Sequence, residues 1–180
     1  PEDRNGKRNH DEIRFWADYI DGADYPVDDA GRAGGLAAGA RFVIVGDYNA
    51  DPFDGDSYAD AIRMLLDHPA VLGSATDPAL TPASEGGPAA AARQGGANEG
   101  QTGDPRFDTA DFGFNRDDPA SDNPPGNVRV DYALPSATGL RLVDAGVFWL
   151  TEDDPLWPLG EWPHSDHRLV WIDVEILPDK

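Results

Sequence analysis

The sequence contains no cysteine and few basic residues. Without cysteine the chain forms neither disulfides nor thiolate metal sites, so any metal must bind through oxygen or imidazole. Only 14 Lys and Arg stand against 34 Asp and Glu, which gives a formal charge of −20. Non-specific affinity for nucleic acid depends on cations that neutralise phosphates, so a long DNA-binding groove is not expected. The acidity is typical of a solubility device, with cation binding as the alternative.

The sequence also lacks a long apolar run. No window approaches the roughly 18–20 consecutive apolar residues that a bilayer requires, and the first ten residues do not resemble a signal peptide. We therefore expect no membrane span. With 39% hydrophobic residues, the 180-residue chain is predicted to form a single domain over residues 1–180. Its Ala-, Gly- and Asp-rich composition resembles that of secreted proteins of high-GC bacteria; this favours a secreted bacterial protein, and the sequence leaves the localisation open.

Helical and strand patterns alternate in the first third of the chain. The stretch NHDEIRFWADYIDG has apolar residues at helical spacing and predicts an amphipathic helix capped by Asn9 or Asp11. RFVIV follows, a β-branched and aromatic run that predicts a strand covered on both faces. SYADAIRMLLDH then predicts a second helix, with Ser57 and Asp60 in capping-box positions. This order favours a layered α/β architecture.

Residues 77–127 have a different composition, rich in Gly, Pro, Ala, Asn and Asp. Such a segment is too long for an ordinary connection and predicts an irregular loop insertion on the surface. The aromatic stretch PRFDTADFGF within it indicates that the loop is attached to the body there. NVRVDYALPS, LRLVDAGVFWL and HRLVWIDVEIL then predict strands, the first with one charged face.

Polar residues stand at the ends of three predicted strands. Asp47 and Asn49 follow the first strand, Asp131 lies within the second, and Asp166 with His167 precedes the last. In a layered α/β fold such residues converge at one rim, where the strands hold them rigidly. Each piece taken alone is also typical of turn formation or capping.

In this order, the three motifs resemble those of the endonuclease/exonuclease/phosphatase family of magnesium-dependent phosphoesterases. GDYNA (46–50) is similar to the family's Gly-Asp-Phe-Asn-Ala element, RVDYALPS (129–136) to its Arg-Ile-Asp-Tyr-Ile strand, and SDHRLV (165–170) to its Ser-Asp-His-Xaa-Pro-Val end. The family includes abasic-site nucleases, secreted DNases, and inositol-phosphate and sphingolipid phosphodiesterases. The resemblance implies a DNase I-like layered β-sandwich flanked by helices, an α/β (α+β) fold.

The resemblance also implies a role for each matched residue. His167 would contact the scissile phosphate, and Asp131 would accept a hydrogen bond from its ring. Asp47 would position or deprotonate the attacking water, and Asn49 would donate to a non-bridging phosphate oxygen. Asp166 and Asp47 would hold Mg²⁺, with Mn²⁺ or Ca²⁺ as alternatives. The chemistry requires such a set, because a phosphodiester resists attack until a cation and hydrogen-bond donors stabilise the developing charge.

The chain departs from the family pattern before Asp47. The family places a metal-binding Glu and a phosphate-contacting Asn on strands of the first half of the domain, whereas only 46 residues precede Asp47 here. No glutamate has an apolar strand context suited to that role, although Glu175 lies in a predicted strand. The resemblance therefore covers the C-terminal half of the sandwich. We expect an N-terminal companion segment or a homodimer to cover the sheet edge this would leave.

The sequence thus predicts a metal-dependent phosphoesterase that hydrolyses phosphodiester or phosphomonoester bonds by activated-water attack. The substrate class stays open between a small molecule, a lipid headgroup and a nucleic acid, and the acidity favours a small phosphoester. The alternative is a non-catalytic or acidic cation-binding module. Asp51, Asp54 and Asp56 lack the pattern of a calcium loop, so turn formation is their expected role, and His164 is expected to be a surface residue.

Overall fold

The computed structural model describes residues 3–73, 77–113, 125–160 and 164–178 of the chain. These ranges contain the helices α1 (Arg4–Ile20), α2 (Arg63–Leu66) and α3 (Gly86–Gln94), and the strands β1 (Val43–Asp47), β2 (Ala110–Phe112), β3 (Gly126–Val128), β4 (Asp131–Pro135), β5 (Leu140–Phe148) and β6 (Leu169–Ile176). The strands pair antiparallel as β1 with β4, β2 with β3 and β5 with β6. This mixture agrees with the predicted α/β class. Among the described residues no helix is long and apolar enough to cross a membrane.

Helix α1 begins earlier than the sequence predicts. Asp3 is its N-cap and accepts a hydrogen bond from the Gly6 amide (2.8 Å). The predicted caps Asn9 and Asp11 are therefore wrong, because the polar first turns carry no apolar residue that would mark them as helical. Asn9 lies inside the helix, and its side-chain amide donates to the Tyr48 carbonyl (2.9 Å). This bond joins α1 to the turn after β1.

The main core lies between the helices α1 and α2 and the β1–β4 pair. Its buried members include Ile13 of α1, Leu65 of α2 and Leu134 of β4. Strand β1 contributes one face only: Ile44 is 7% exposed, whereas Val43 and Val45 are 40% and 67% exposed. The expectation that this strand is covered on both faces is wrong for the described residues, because β1 has a helix-packed side and an uncovered side.

The predicted second helix is broken. Tyr58–Asp60 form a 3₁₀ turn, α2 spans only four residues, and the Ser57 side chain makes no capping hydrogen bond. Ala59 and Asp60 have φ values of 53° and 50°. The capping box is therefore wrong, since this left-handed pair does not continue an α-helix. The apolar residues of this segment are nevertheless buried: Ala61, Ile62, Leu65 and Leu66.

The prediction of an irregular loop over 77–127 is also wrong in part. The segment contains α3, β2 and the start of β3, while its residues 114–124 lie outside the described ones. Gly86 is the reason α3 packs closely: a Cβ there would collide with the main chain of Trp149. Ala90 of the same helix packs with Val147 and Trp149 at the end of β5.

The last three predicted strands are present, with one correction. NVRVDYALPS is divided between β3, which ends at Val128, and β4, which begins at Asp131. Its predicted charged face is not open to solvent throughout, since Arg129 is only 6% exposed and stacks on the Tyr132 ring at 4.7 Å. Strands β5 and β6 form a long antiparallel pair, and β6 alternates between exposed and half-buried side chains from Leu169 to Glu175.

Candidate active site

The end of β1 and the start of β4 lie opposite each other. Asp47 pairs with Asp131 in the β1–β4 register. An isolated bridge between Ala110 and His167 brings the turn before β6 to the same place. One ligand atom from each of Asp47, Asp131 and His167 lies within 4.8 Å of the others. Three motifs that are far apart in the chain therefore meet at one rim.

The central contact of this site is between His167 and Asp131. The His167 Nδ1 atom lies 2.9 Å from Asp131 Oδ2. An ionised carboxylate only accepts hydrogen bonds, so Nδ1 carries the proton and donates. His167 Nε2 is then the nitrogen that faces Asp47, whose Oδ2 is 4.0 Å away. The Phe112 ring packs edge-on against the imidazole with 5.5 Å between centroids.

The electrostatics of the pair follow from partial burial. Burial lowers the pKa of His167, but the hydrogen bond with Asp131 and the charges of Asp131, Asp47 and Asp166 outweigh it, so this pKa lies above its ordinary value. Burial also raises the pKa of Asp131, against the lowering effect of the His167 bond. The imidazole is thus held by a desolvated carboxylate while its other edge stays open to a substrate.

Asn49 and Asp47 form a tight turn directly after β1. The Asn49 amide donates to Asp47 Oδ1 (2.8 Å), and Asn49 has a φ of 46°. Asn tolerates this left-handed conformation better than most residues. The turn fixes Oδ1 of Asp47 and leaves Oδ2 towards the imidazole. The Asn49 side chain is exposed at the rim, and its contact with a phosphate oxygen stays a prediction.

Asp166 does not belong to the group formed by Asp47, Asp131 and His167. Its side chain is half-buried, and its carbonyl accepts a hydrogen bond from the Asp111 amide (2.7 Å). Its charge contributes to the raised pKa of His167. Its role as a metal ligand stays a prediction. His164 is exposed, as expected for a surface residue.

The neighbouring carboxylates of Asp51 and Asp54 accept hydrogen bonds from main-chain amides. Asp51 Oδ1 accepts from the amides of Phe53 (2.7 Å) and Asp54 (2.8 Å). Asp54 in turn accepts from the amides of Thr102 and Gly103, both at 2.8 Å. The turn-forming role predicted for Asp51 and Asp54 is confirmed.

The sequence alone did not reveal the residues in and around β2 that support the site. The Thr109 hydroxyl accepts from the amides of Val130 (3.0 Å) and Asp131 (2.9 Å), which fixes the start of β4. Asp111 forms a buried ion pair with Arg168, the residue after His167 (3.2 Å). The aromatic stretch PRFDTADFGF indicated that this segment packs on the body of the protein, but it did not identify the residues that Thr109 and Asp111 contact.

The donor chemistry at the rim fits a hard divalent cation. Two carboxylates and one imidazole lie together, and the Nδ1 atom of that imidazole is already bonded to Asp131. Carboxylate oxygens are the ligands that Mg²⁺ and Ca²⁺ prefer in proteins. Asp47, which is about half exposed, offers an oxygen beside the ring.

Comparison with known proteins agrees with this geometry. The family model described as Endonuclease/Exonuclease/phosphatase family matches residues 3–167, which is 165 of 180 residues. Searches of curated proteins and of solved structures gave no match. Proteins of that family have a DNase I-like fold and generally hydrolyse phosphoester bonds, commonly with a divalent metal. The chain belongs to the endonuclease/exonuclease/phosphatase family.

Proposed function

We propose that this protein is a metal-dependent phosphoesterase that hydrolyses its substrate by attack of an activated water. The observation that carries the proposal is the His167–Asp131 hydrogen bond of 2.9 Å beside Asp47, at the ends of two paired strands. A carboxylate that orients an imidazole next to a second carboxylate provides both a proton donor and a base.

In this proposal each side chain has a different role in the hydrolysis. His167 donates from Nε2 to a phosphate oxygen, and Asp131 holds the ring and stabilises its positive charge. Asp47 accepts the proton of the attacking water, and the side-chain amide of Asn49 donates to a non-bridging oxygen. These donors and acceptors are preorganised, so they stabilise developing charge without rearranging.

Asp47 and Asp166 are the proposed Mg²⁺ ligands, and Asp131 lies close enough to contribute an oxygen. When bound, the cation supplies charge neutralisation at the phosphate oxygens. Mn²⁺ and Ca²⁺ are alternative occupants, because the same oxygen donors suit them.

A small phosphoester is the proposed substrate class. A cavity of about 190 Å³ adjoins Asn49 and Phe112, and the carboxylates of Asp51, Asp54 and Asp56 line it. Carboxylates in this position repel a further phosphate group, such as the next one along a nucleic acid strand. A phosphoester with a neutral or cationic leaving group fits this lining better.

The uncovered face of β1 supports a proposal about partners. Val43 and Val45 are exposed on a strand whose described residues pair on one side only, with β4. We propose that a companion segment of the domain or a second copy of the chain covers them. Light scattering should then detect a complex, and a monodisperse monomer that binds no hydrophobic dye would contradict this proposal.

The function is tested by hydrolysis of a chromogenic phosphodiester and of the matching phosphomonoester, each with Mg²⁺ and with chelator. We expect turnover that requires the metal and disappears in His167→Ala. His10→Ala is the matched control, because His10 contacts Asp11 and Tyr58 on α1 and the adjoining turn. Turnover that does not depend on His167, or no turnover of either ester, would instead favour a binding module.

A further inference from the structure

A buried ion pair lies directly behind the His167 turn. The side chains of Asp111 and Arg168 are 0% and 1% exposed, and Arg168 Nη2 donates to Asp111 Oδ2 at 3.2 Å. The second Asp111 oxygen accepts from the Gln94 side-chain amide of α3 at 2.7 Å. The guanidinium also lies over the Trp149 ring, 4.6 Å from its centroid. The pair is thus fixed from three sides, by α3, β2 and the end of β5.

The same two residues anchor the main chain on both sides of His167. The Asp111 amide donates to the Asp166 carbonyl, and the Arg168 amide donates to the Thr109 carbonyl, both at 2.7 Å. Arg168 Nη1 further donates to the Ser165 carbonyl (3.0 Å), which closes the turn that carries His167. The backbone on both sides of His167 is therefore fixed by hydrogen bonds to the β2 segment.

We propose that Asp111 and Arg168 are positioning residues, which hold the His167 main chain so that its imidazole stays in line with Asp131. This inference rests on the proposed function, since it assigns the pair to the same site. Both act through the main chain of the turn, where Arg168 Nη1 also lies 3.4 Å from the His167 carbonyl oxygen. Phe112, the residue after Asp111, packs on the imidazole, so displacement of β2 would also displace the ring.

Desolvation gives a physical reason to assign the pair a geometric role. Taking two charges out of water costs much of what their attraction returns, so a buried ion pair is a weak source of stability. Its two planar groups nevertheless define distance and angle more strictly than apolar contacts do. A displacement of about 1 Å at a reacting group is enough to lower a rate by about 100-fold.

The test replaces both charges together. The double variant Asp111→Leu/Arg168→Met leaves no unpaired buried charge, so it is expected to fold. We expect kcat to fall by about 10- to 100-fold with KM changed by less than about threefold, because ground-state contacts at the rim remain. The proton resonance of His167 Nδ1, hydrogen-bonded to Asp131 in the parent protein, should shift or disappear.

Arg168→Lys provides the second variant if the double one does not fold. Lys keeps the charge but not the planar fork, so kcat should lie between those of the parent and the double variant. The control is Arg141→Met/Glu175→Gln, which removes an exposed ion pair on the β5–β6 pair and should change neither kcat nor the His167 resonance.

Parental kcat together with an unchanged His167 resonance, in the double variant or in Arg168→Lys, would overturn the proposal. The resonance also separates this proposal from the proposed function. If the parent hydrolyses no phosphoester, the function fails, yet a His167 resonance altered only in the Asp111 and Arg168 variants would still establish the positioning role.

Discussion

This molecule has two acidic regions, the rim at Asp131 and the cavity at Asp108. They differ in the hydrogen-bond partners of their carboxylates. At the rim, Asp131 is bonded to an imidazole at 2.9 Å. In the cavity, of about 280 Å³, Asp108 is 6% exposed and its Oδ2 has no hydrogen-bond partner within the described residues. Burial raises the pKa of Asp108 to about 8, and the charges of Asp51, Asp54 and Asp104 add to the effect.

The difference shows that acidity alone does not make a reactive site in this chain. Both regions concentrate negative charge, but within the described ranges only the rim places an imidazole at hydrogen-bonding distance from a carboxylate of its group. In the cavity, Asp51 accepts hydrogen bonds from the main-chain amides of Phe53 and Asp54, and Asp104 accepts one from the Arg106 amide. Those carboxylates stabilise turns, and the rim carboxylates are arranged around a proton donor.

The largest effect is expected from Asp47→Asn at the rim, compared with Asp104→Ala in the cavity. Asp47→Asn removes the proposed base at the rim, so kcat should fall by about 10²- to 10⁴-fold. Asp104 lines the cavity and accepts from the Arg106 amide (3.0 Å) as the N-cap of a 3₁₀ turn, so Asp104→Ala should lower the free energy of unfolding by about 0.5–2 kcal/mol and keep kcat. Steady-state kinetics and denaturant titration of both variants measure this, and equal losses of kcat would remove the distinction between the two regions.

Asp131→Asn should have the next largest effect. The amide is neutral and orients the ring less well, so activity should fall about 10- to 100-fold. Because Asp131 raises the pKa of His167, the variant should show a lower His167 pKa by NMR. In the parent, the raised pKa stabilises the fold most fully below the ordinary histidine value, and this stabilisation is lost as the pH rises through the folded-state value. An unchanged His167 pKa would contradict the assigned pairing.

Asp108→Asn should change stability without changing catalysis. The carboxyl has a pKa of about 8 in the fold, against roughly 3.9 in an unfolded chain. Its stabilising contribution is therefore complete below pH ~3.9 and is lost as the pH rises to about 8. Asn stays neutral, so at pH 9 the free energy of unfolding of the variant should exceed that of the parent by roughly 1–3 kcal/mol. Denaturant titration measures this difference. A stability difference independent of pH would contradict a buried, protonated Asp108.

The smallest effect is expected for an exposed ion pair outside both regions. Glu152 pairs with Arg93 at 2.9 Å, with side chains 58% and 37% exposed. Exposed pairs contribute little, so Arg93→Met should change the free energy of unfolding by less than about 0.5 kcal/mol and leave kcat unchanged. Thermal unfolding at low and high salt measures this. A larger loss would mean that Arg93 also supports α3 through its packing.

The sequence predicted the rim better than the elements that support it. Asp47, Asp131 and His167 stand in short motifs at strand ends, where local pattern and residue type coincide. The predicted start of α1 was wrong, because the first turns of the helix carry polar residues and no apolar residues at helical spacing. The helix at 86–94 was missed, because its Gly and Pro residues are typical of a loop, whereas Gly86 is there for close packing against Trp149.

Long-range partners were beyond the reach of pattern analysis. Asp111 and Arg168 are 57 residues apart in the chain, and nothing in either local sequence identifies the other. The uncovered face of β1 was missed for a related reason. The apolar run of β1 indicates that both faces could be buried. Which face is buried depends on the elements that pack against the strand, and the local sequence does not identify them.

The pairing of β1 with β4 also has a kinetic consequence. Val43 lies opposite Pro135, and the imidazole and its carboxylate partner are themselves 36 residues apart. Helix α1 depends on local contacts and forms on a microsecond scale, whereas pairings between distant segments close slowly. During refolding from denaturant, recovery of enzymatic turnover should therefore trail the return of helical signal, and turnover reports the last stage of chain assembly.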